Sequence, residues 1–246
     1  MKKLSILFLT NRSSGFNVLR DNILKCKLSG PEEIELLICD QGSGQDYAEK
    51  LKKINAVYHR MNHYNEGIAR SLNQLILRST AEHLFFMSDD IELPEGWDTT
   101  LLAYMQSIPQ LGILGFEMQD LKLPEQIIHG FPLCHNSYPR QHGFTQDDCQ
   151  VYGNIMFTRD LVRSIGGFCE EYHPYGLEDA DYCFRAIQAG YLCGYVPGLV
   201  AKHLGETRDV NKVAIQSNIG LHRWRAQNYH RIGLHEPLPM AREWLI

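Results

Sequence analysis

Short apolar runs alternate with segments of helical periodicity through the amino-terminal half of the chain. Four runs have the length of buried strands: Leu4 to Leu9, Ile34 to Cys39, Ala56 to His59 and His83 to Met87. Apolar residues spaced three and four apart predict helices at Phe16 to Leu28, Asp46 to Ile54 and Glu66 to Arg78. Strands that alternate with helices form a mainly parallel sheet covered by helices, so this order predicts an α/β fold.

Polar residues stand at the carboxyl ends of three of these strands, at Thr10-Asn11-Arg12, at Asp40 and at Ser88-Asp89-Asp90. Parallel sheets bind ligands at that edge. Any one of these clusters alone is more simply a turn or a helix cap. Three clusters at the same edge indicate a site.

Charge and cysteine content exclude several classes of protein. The net charge of -5, from 24 basic and 29 acidic residues, disfavours general nucleic-acid binding, which needs a basic face. Seven cysteines without a C-x-x-C pair indicate core thiols in a reducing compartment. No apolar run approaches the length of a membrane span, so we expect a cytoplasmic protein. P-loop, nucleophile-elbow and H-E-x-x-H motifs do not occur in the sequence.

The second half predicts further elements: strands at Ile127 to Leu133, Tyr152 to Thr158 and Leu192 to Val196, and a helix at Glu178 to Ala189. The first turn of that helix carries Glu178, Asp179 and Asp181, which serve either as a capping cluster or as a source of a general base. Arg185 follows Asp181 by four residues, which predicts an ion pair on the helix surface.

The order of these motifs resembles the family-2 type of GT-A glycosyltransferase, particularly bacterial enzymes of O-antigen and other polysaccharide assembly. The resemblance runs from Leu4 to about Arg208. Its most specific feature is Gly166-Gly167-Phe168, followed by Glu178-Asp179-Ala180-Asp181 and then by His203. It implies a GT-A fold, with a Rossmann-like, mainly parallel sheet flanked by helices and a small mixed subregion on the acceptor side.

The resemblance also implies roles for individual residues. Asp179 would be the catalytic base and Glu178 would contact the acceptor. Asp90 and His203 would bind a divalent cation, Mn²⁺ or Mg²⁺. The nucleotide sugar would contact Thr10, Asn11, Arg12, Asp40, Asn65, Gly67, Ser88, Asp89 and Arg208.

Two positions depart from the family pattern. Ser88 stands where the family often has Asp or Asn, so cation binding would rest on Asp90, with Asp89 and His203 in support. Cys169 replaces the acid that usually follows Gly-Gly-Phe, a change we interpret as structural.

The implied activity is transfer of a sugar, a hexose or deoxyhexose, from a nucleotide-diphosphate sugar to an acceptor hydroxyl, with a divalent cation and with inversion. The acceptor would be a saccharide, a lipid-linked molecule or another hydroxyl compound. A non-catalytic nucleotide-sugar or carbohydrate-binding module on the same scaffold is the alternative. A sugar-nucleotide pyrophosphorylase is a further alternative, but it would need a Gly-rich loop after the first strand.

These expectations divide the chain into a glycosyltransferase domain, 1–209, and a helical, basic carboxyl-terminal extension, 210–246. The domain comprises a nucleotide-binding half, 1–110, and an acceptor half, 111–209. Residues 210–231 contain Lys212, Arg223, Arg225 and Arg231 but no acids. This segment predicts either a solvated helix face or a basic surface for a membrane or a lipid-diphosphate acceptor. A nucleic-acid acceptor is disfavoured by the acidic net charge.

Overall fold

The computed structural model describes residues 2–119, 125–134, 151–204 and 212–238, apart from residues 13, 29, 31 and 152. The strands are β1 (Leu4–Thr10), β2 (Ile34–Gln41), β3 (Tyr58–Asn62), β4 (His83–Met87), β5 (Ile91–Glu92), β6 (Leu111–Met118), β7 (Glu125–Ile128), β8 (Phe131–Cys134), β9 (Ile155–Thr158) and β10 (Leu192–His203). The helices are α1 (Gly15–Leu24), α2 (Gln45–Leu51), α3 (Ile68–Arg78), α4 (Trp97–Ser107), α5 (Arg159–Ile165), α6 (Glu178–Gln188) and α7 (Lys212–Ile232).

One sheet runs through the molecule in the order β3-β2-β1-β4-β9-β6-β10-β8-β7. The first four strands are parallel, which confirms the predicted α/β half. Beyond β4 the sheet is mixed, because β9 is antiparallel to both β4 and β6 while β10 is parallel to β6. The short β5 pairs with the end of β10. The predicted Rossmann-like sheet with a mixed subregion is therefore confirmed.

Alternation along β1 explains how the sheet is covered on both faces. Leu4, Ile6 and Phe8 pack into one apolar cluster, with α1 and α4. Leu7 and Leu9 point the other way, into a cluster with α3, α5 and α6. Successive strand side chains point to opposite faces, so a continuous apolar run is what a sheet with two covered faces requires.

Three predicted boundaries were wrong for identifiable reasons. Helix α1 ends at Leu24 rather than Leu28, since the N–H groups of residues 27 and 28 donate to the carboxylate of Asp98. The run 127–133 is a hairpin, because His129 and Gly130 have positive φ and turn the chain between β7 and β8. Strand β10 continues to His203, past an irregularity in its pairing with β6 at Pro197-Gly198.

Most of the described carboxyl-terminal segment is the helix α7, which packs against α6. Its basic residues divide between two environments. Arg225 and the neighbouring His222 are buried, whereas Arg223 and Arg231 are exposed. Arg225 fits neither the solvated helix face nor the basic binding surface that the sequence suggested, because its side chain is buried. No helix within the described ranges combines the length and apolar character that crossing a lipid bilayer requires.

Candidate functional site

The turn after β1 is held by Asp89. Thr10 Oγ1 and the backbone N–H of Asn11 each donate to Asp89 Oδ2, over 2.9 Å. A Cβ atom on Gly15 would lie 2.6 Å from Thr10 Oγ1, so a glycine is required where α1 begins. Burial raises the pKa of Asp89, although its hydrogen bonds and the charge on Arg12 oppose this. The side chain of Asp89 therefore points into the protein interior, where it positions the turn that carries Asn11 and Arg12.

The side chain of Asp90 points away from that of Asp89 and is contacted by three polar side chains. Ser88 Oγ donates to Asp90 Oδ1 over 3.0 Å, and Arg12 Nη2 donates to Asp90 Oδ2 over 2.9 Å. His203 Nε2 lies 3.3 Å from Asp90 Oδ2. Ser88 and Asp90 share a side, as the alternation of an extended chain predicts.

Strand pairing explains why His203 reaches this place. His203 pairs with Ile91, and the N–H of Leu204 donates to the carbonyl of Asp90 over 2.7 Å. The backbone of β10 is thus hydrogen-bonded to the segment that follows β4. The structure brings His203 and Asp90 together although they lie far apart in the sequence.

The donor atoms of Asp90 and His203 fit a divalent cation of the Mg²⁺ or Mn²⁺ type. Such a cation is commonly held by one or two protein ligands, together with substrate phosphates and water. Among the described side chains, no three His, Cys, Asp or Glu groups gather into a complete cage. The two ligands would therefore need the phosphates of a nucleotide sugar, and Arg12 would have to release Asp90 Oδ2.

The turn after β2 carries Asp40, which is buried. Its Oδ1 accepts hydrogen bonds from the backbone N–H of Ser43, at 3.0 Å, and from the Ser43 hydroxyl, at 2.5 Å. A Cβ atom on Gly42 would lie 3.0 Å from Tyr64 Cα, so the backbone of this turn closely approaches the segment after β3. Asp40 is thereby set beside the chain that leads to Asn65.

Gly67, directly before α3, lies against the loop that leads into α6. Its φ is +91°, and a Cβ atom here would lie 2.8 Å from His173 Nδ1, so only glycine fits without strain. Asn65 Oδ1 accepts a hydrogen bond from the N–H of Gly67 over 2.8 Å. The N–H of Ile68 donates to the carbonyl of Pro174 over 3.0 Å. The loop 173–177, which leads into α6, is thus fixed to the start of α3.

Glu178 and Asp179, here called the acid pair, begin α6. Glu178 is buried and its Oε2 accepts from the N–H of Gly176 over 2.5 Å. Asp179 is partly exposed, and its Oδ1 accepts from the N–H of Ala180 over 2.8 Å. Burial, and then the charge on Asp179, raise the pKa of Glu178 to about 8. Two adjacent carboxyl groups are therefore held in different environments, which favours different protonation states.

The expectation of a surface ion pair between Asp181 and Arg185 was wrong, because both side chains are fully buried. Arg185 Nε donates to Asp181 Oδ2 over 2.8 Å, and Arg225 Nε of α7 donates to Asp181 Oδ1 over 3.1 Å. Tyr172 and Tyr229 also donate to Asp181 Oδ1. Burial alone would raise the pKa of Asp181, but the two arginines outweigh it and lower the pKa. The helix α7 covers the face that the local sequence suggested was solvated.

Arg208 lies outside the described residues.

Two polar residues that the motifs did not indicate contribute to the candidate site. Asn154 is buried and its Oδ1 accepts a hydrogen bond from the N–H of Ser88 over 2.7 Å, which fixes the end of β4. Asn218 of α7 contacts the loop 173–177. A single asparagine outside any motif gives no sequence signal of such a role.

The parallel half, the mixed half and the helix-borne acid pair together define the GT-A class of fold. A mannosyltransferase from Pyrobaculum calidifontis, solved in complex with GDP-Man and Mn²⁺, has a similar structure. Its TM-score is 0.61 at 16% sequence identity, over 96% of this chain and 66% of that one.

The chain belongs to glycosyl transferase family 2, whose sequence profile matches residues 8–166. A second profile, described as the N-terminal domain of galactosyltransferase, matches residues 143–211. The pre-mycofactocin glycosyltransferase of Mycobacterium tuberculosis, in strains CDC 1551 / Oshkosh and ATCC 25618 / H37Rv, is 23% identical over 181 residues. That match covers 69% of this chain but only 37% of the relative's own length. Glycosyl transfer is thus the activity of the family.

Proposed function

We propose that this chain transfers a sugar from a nucleotide-diphosphate sugar to an acceptor hydroxyl, with a divalent cation and with inversion at the anomeric carbon. The observation that carries the proposal is the convergence of Arg12, Asp90 and His203 beside the turn after β1. Arg12 supplies a guanidinium of the kind that binds phosphate, and Asp90 and His203 are side chains of the kind that bind metal ions. All three lie at the edge of the parallel sheet where such sheets bind ligands. The resemblance of the fold to that of an enzyme solved in complex with GDP-Man and Mn²⁺ supports it.

The donor would lie across the strand ends. The turns after β1 and β2, carrying Thr10 to Arg12 and Asp40, would hold the base and ribose, and Asn65 with Gly67 would border the sugar. Asp90 and His203 would hold the cation, which supplies positive charge to the diphosphate leaving group. Arg12, freed from Asp90, would then be placed to pair with a phosphate oxygen, and Arg208 would clamp the diphosphate.

The acid pair would act on the acceptor. Asp179, the more exposed member, would take the proton of the acceptor hydroxyl as that oxygen attacks the anomeric carbon. The raised pKa of Glu178 favours a protonated carboxyl that donates a hydrogen bond to the acceptor. Attack from the face opposite the leaving diphosphate inverts the anomeric configuration.

Incubation of the protein with a panel of nucleotide sugars tests this proposal, since many transferases hydrolyse their donor slowly without an acceptor. Mn²⁺ and Mg²⁺ are supplied separately, and GDP-mannose belongs in the panel because the structurally similar enzyme binds it. Cation-dependent release of nucleoside diphosphate from one donor is the expected result. No binding and no release with any donor would contradict the proposal.

A non-catalytic nucleotide-sugar-binding module is the second candidate, and one observation favours it. Arg12 is paired with Asp90, so a positive charge already stands where a cation would bind. The same panel separates the two functions. Tight binding of a donor without hydrolysis, and without transfer to saccharide or lipid-linked acceptors, would support the binding module.

The acceptor side would extend beyond the family profiles, which end at residues 166 and 211. Residues 1–110 would form the nucleotide-binding half and 111–209 the acceptor half, against which helix α7 of the segment 210–246 packs. Exposed Arg223, Trp224 and Arg231 on α7 support a peripheral contact with an anionic membrane that carries a lipid-linked acceptor. Flotation with vesicles containing anionic lipid, at low and high salt, tests the contact, which high salt should weaken.

A further inference from the structure

Helix α7 lies against the loop that presents the acid pair. Asn218 is only 3% exposed, and its Nδ2 donates to two successive backbone carbonyls of that loop. The distances are 3.0 Å to the carbonyl of Tyr175 and 3.1 Å to that of Gly176. One buried side chain thus holds two peptide groups immediately before Glu178.

The conformation of this loop explains why it needs an external donor. Gly176 has φ +98° and Leu177 has φ +74°, so two consecutive residues lie in the left-handed region. A leucine rarely adopts this conformation unless its surroundings impose it. Leu177 is buried, in a cluster against which Ile219 and Leu221 of α7 also pack. The backbone conformation of this loop therefore depends on packing against α7 rather than on the intrinsic φ preference of its residues.

A second contact fixes the other side of the acid pair. Arg225 of α7 donates to Asp181, which lies two residues after Asp179. Arg225 also pairs with Glu236, beyond the end of α7. The acid pair is consequently held from α7 at both ends, through Asn218 before it and through Arg225 after it.

We propose that Asn218 is a positioning residue for Asp179, and that α7 is part of the catalytic half rather than an appendage. The two family profiles end at residues 166 and 211, before α7 begins. The inference rests on the proposed function for its catalytic meaning. The hold of Asn218 on the loop is testable independently of activity.

Asn218→Asp is the most direct test. It keeps the size of the side chain but directs carboxylate oxygens, which accept and do not donate, at two carbonyl oxygens. Asn228→Asp is the matched control, because Asn228 lies on the same helix and donates within it, to the carbonyl of Trp224 over 2.7 Å. Both variants add one negative charge to α7.

Two measurements are compared for the two variants and the wild type. Amide hydrogen exchange in residues 175–181 should accelerate by about tenfold in Asn218→Asp, while exchange in α7 stays near the wild-type rate. In the donor-hydrolysis assay, kcat should fall by about tenfold while the donor KM stays within about twofold, because the donor groove is untouched. Asn228→Asp should match the wild type in both. Asn218→Ala, paired with Asn228→Ala, repeats the comparison without a buried charge if the aspartate variant does not fold.

The outcomes separate the two proposals. Equal exchange of residues 175–181 in the Asn218 and Asn228 variants would overturn the hold of Asn218 on the loop. Faster exchange with unchanged kcat would overturn its role in catalysis. A wild type that neither binds nor hydrolyses any donor contradicts the proposed function instead, and the exchange comparison still decides whether α7 shapes the loop.

Discussion

The guanidinium of Arg12 lies 2.9 Å from the carboxylate of Asp90, the acid expected to bind the cation. Arg12 Nε is also 3.7 Å from Asp89 Oδ1, so one guanidinium spans both acids after β4. His203 approaches the same oxygen of Asp90. Under the proposed function, a cation would take over Asp90 while Arg12 turns to the phosphates of the donor.

Removing Arg12 should therefore strengthen cation binding in the absence of nucleotide. Arg12→Met eliminates the competitor for Asp90, and the Kd for Mn²⁺ should fall about fivefold, a modest change because the pair is partly solvated. Titration calorimetry with Mn²⁺ alone measures it. Arg20→Met is the control, because Arg20 pairs with Asp21 on the exposed face of α1. An unchanged Kd in Arg12→Met would mean that the pairing does not compete with the cation.

Cation dependence should follow from Asp90 and His203. Activity should vanish in EDTA and return with Mn²⁺ or Mg²⁺. Asp90→Asn and His203→Ala should each raise the Mn²⁺ concentration for half-maximal activity by at least about tenfold, since each removes one of the two side chains proposed as ligands. Assays across a Mn²⁺ series measure this shift. Full activity in chelator would instead make both residues structural.

Asp179→Asn should abolish transfer but keep donor binding. The amide has the same size but cannot accept the acceptor's proton, and loss of a general base typically costs about 10²- to 10⁴-fold in rate. Donor affinity, measured by calorimetry, should stay within about twofold of wild type. Asp160→Asn, on the exposed surface of α5, provides the control. Normal turnover by Asp179→Asn would remove this residue from the mechanism.

Periodicity and strand ends in the sequence were sufficient to predict the four parallel strands of the sheet, although not β5 or β6. The run His83 to Met87 is β4 without any change of boundary, and Leu4 to Leu9 is β1 apart from one residue. These strands are buried on both faces, so their residues are almost uniformly apolar and the signal is strong. The position of Asp90 at a strand end was equally visible, because a polar cluster abruptly ends an apolar run.

The contacts of Asp181 were not visible in the sequence. Its spacing from Arg185 is the spacing of a helix-surface pair, and the local sequence is the same whether or not another helix covers that face. Arg225, the other partner of Asp181, lies 44 residues further along the chain. Burial of such a pair depends on how α7 packs, which no local pattern encodes. The pairing of Arg12 with Asp90, 78 residues apart, was hidden for the same reason.

The raised pKa of Glu178 should make folding stability depend on pH. The folded pKa is about 8, above the usual 4.5, so the folded state holds a proton that the unfolded chain releases. The contribution of this group is fully present below 4.5 and is lost as pH rises towards 8. Over this range the Tm of the wild type should fall by roughly 10 °C more than that of Glu178→Gln. Thermal scans of both proteins across the range measure the difference, and parallel curves would contradict it.

Arg225 should contribute far more to the free energy of unfolding than Arg223, which lies on the same helix. Arg225→Met leaves the buried Asp181 with a single arginine and breaks the contact with Glu236, whereas Arg223 is exposed. Breaking a buried ion pair on one side typically costs about 3 kcal/mol, while a surface substitution stays within about 0.5 kcal/mol. Urea unfolding of Arg225→Met and Arg223→Met gives both values. Because Arg225 carries the contact of α7 with Asp181, amide exchange in Arg225→Met should also rise in α7 and in the loop 173–177 together. Equal unfolding free energies for the two variants would mean that α7 is not anchored through Asp181.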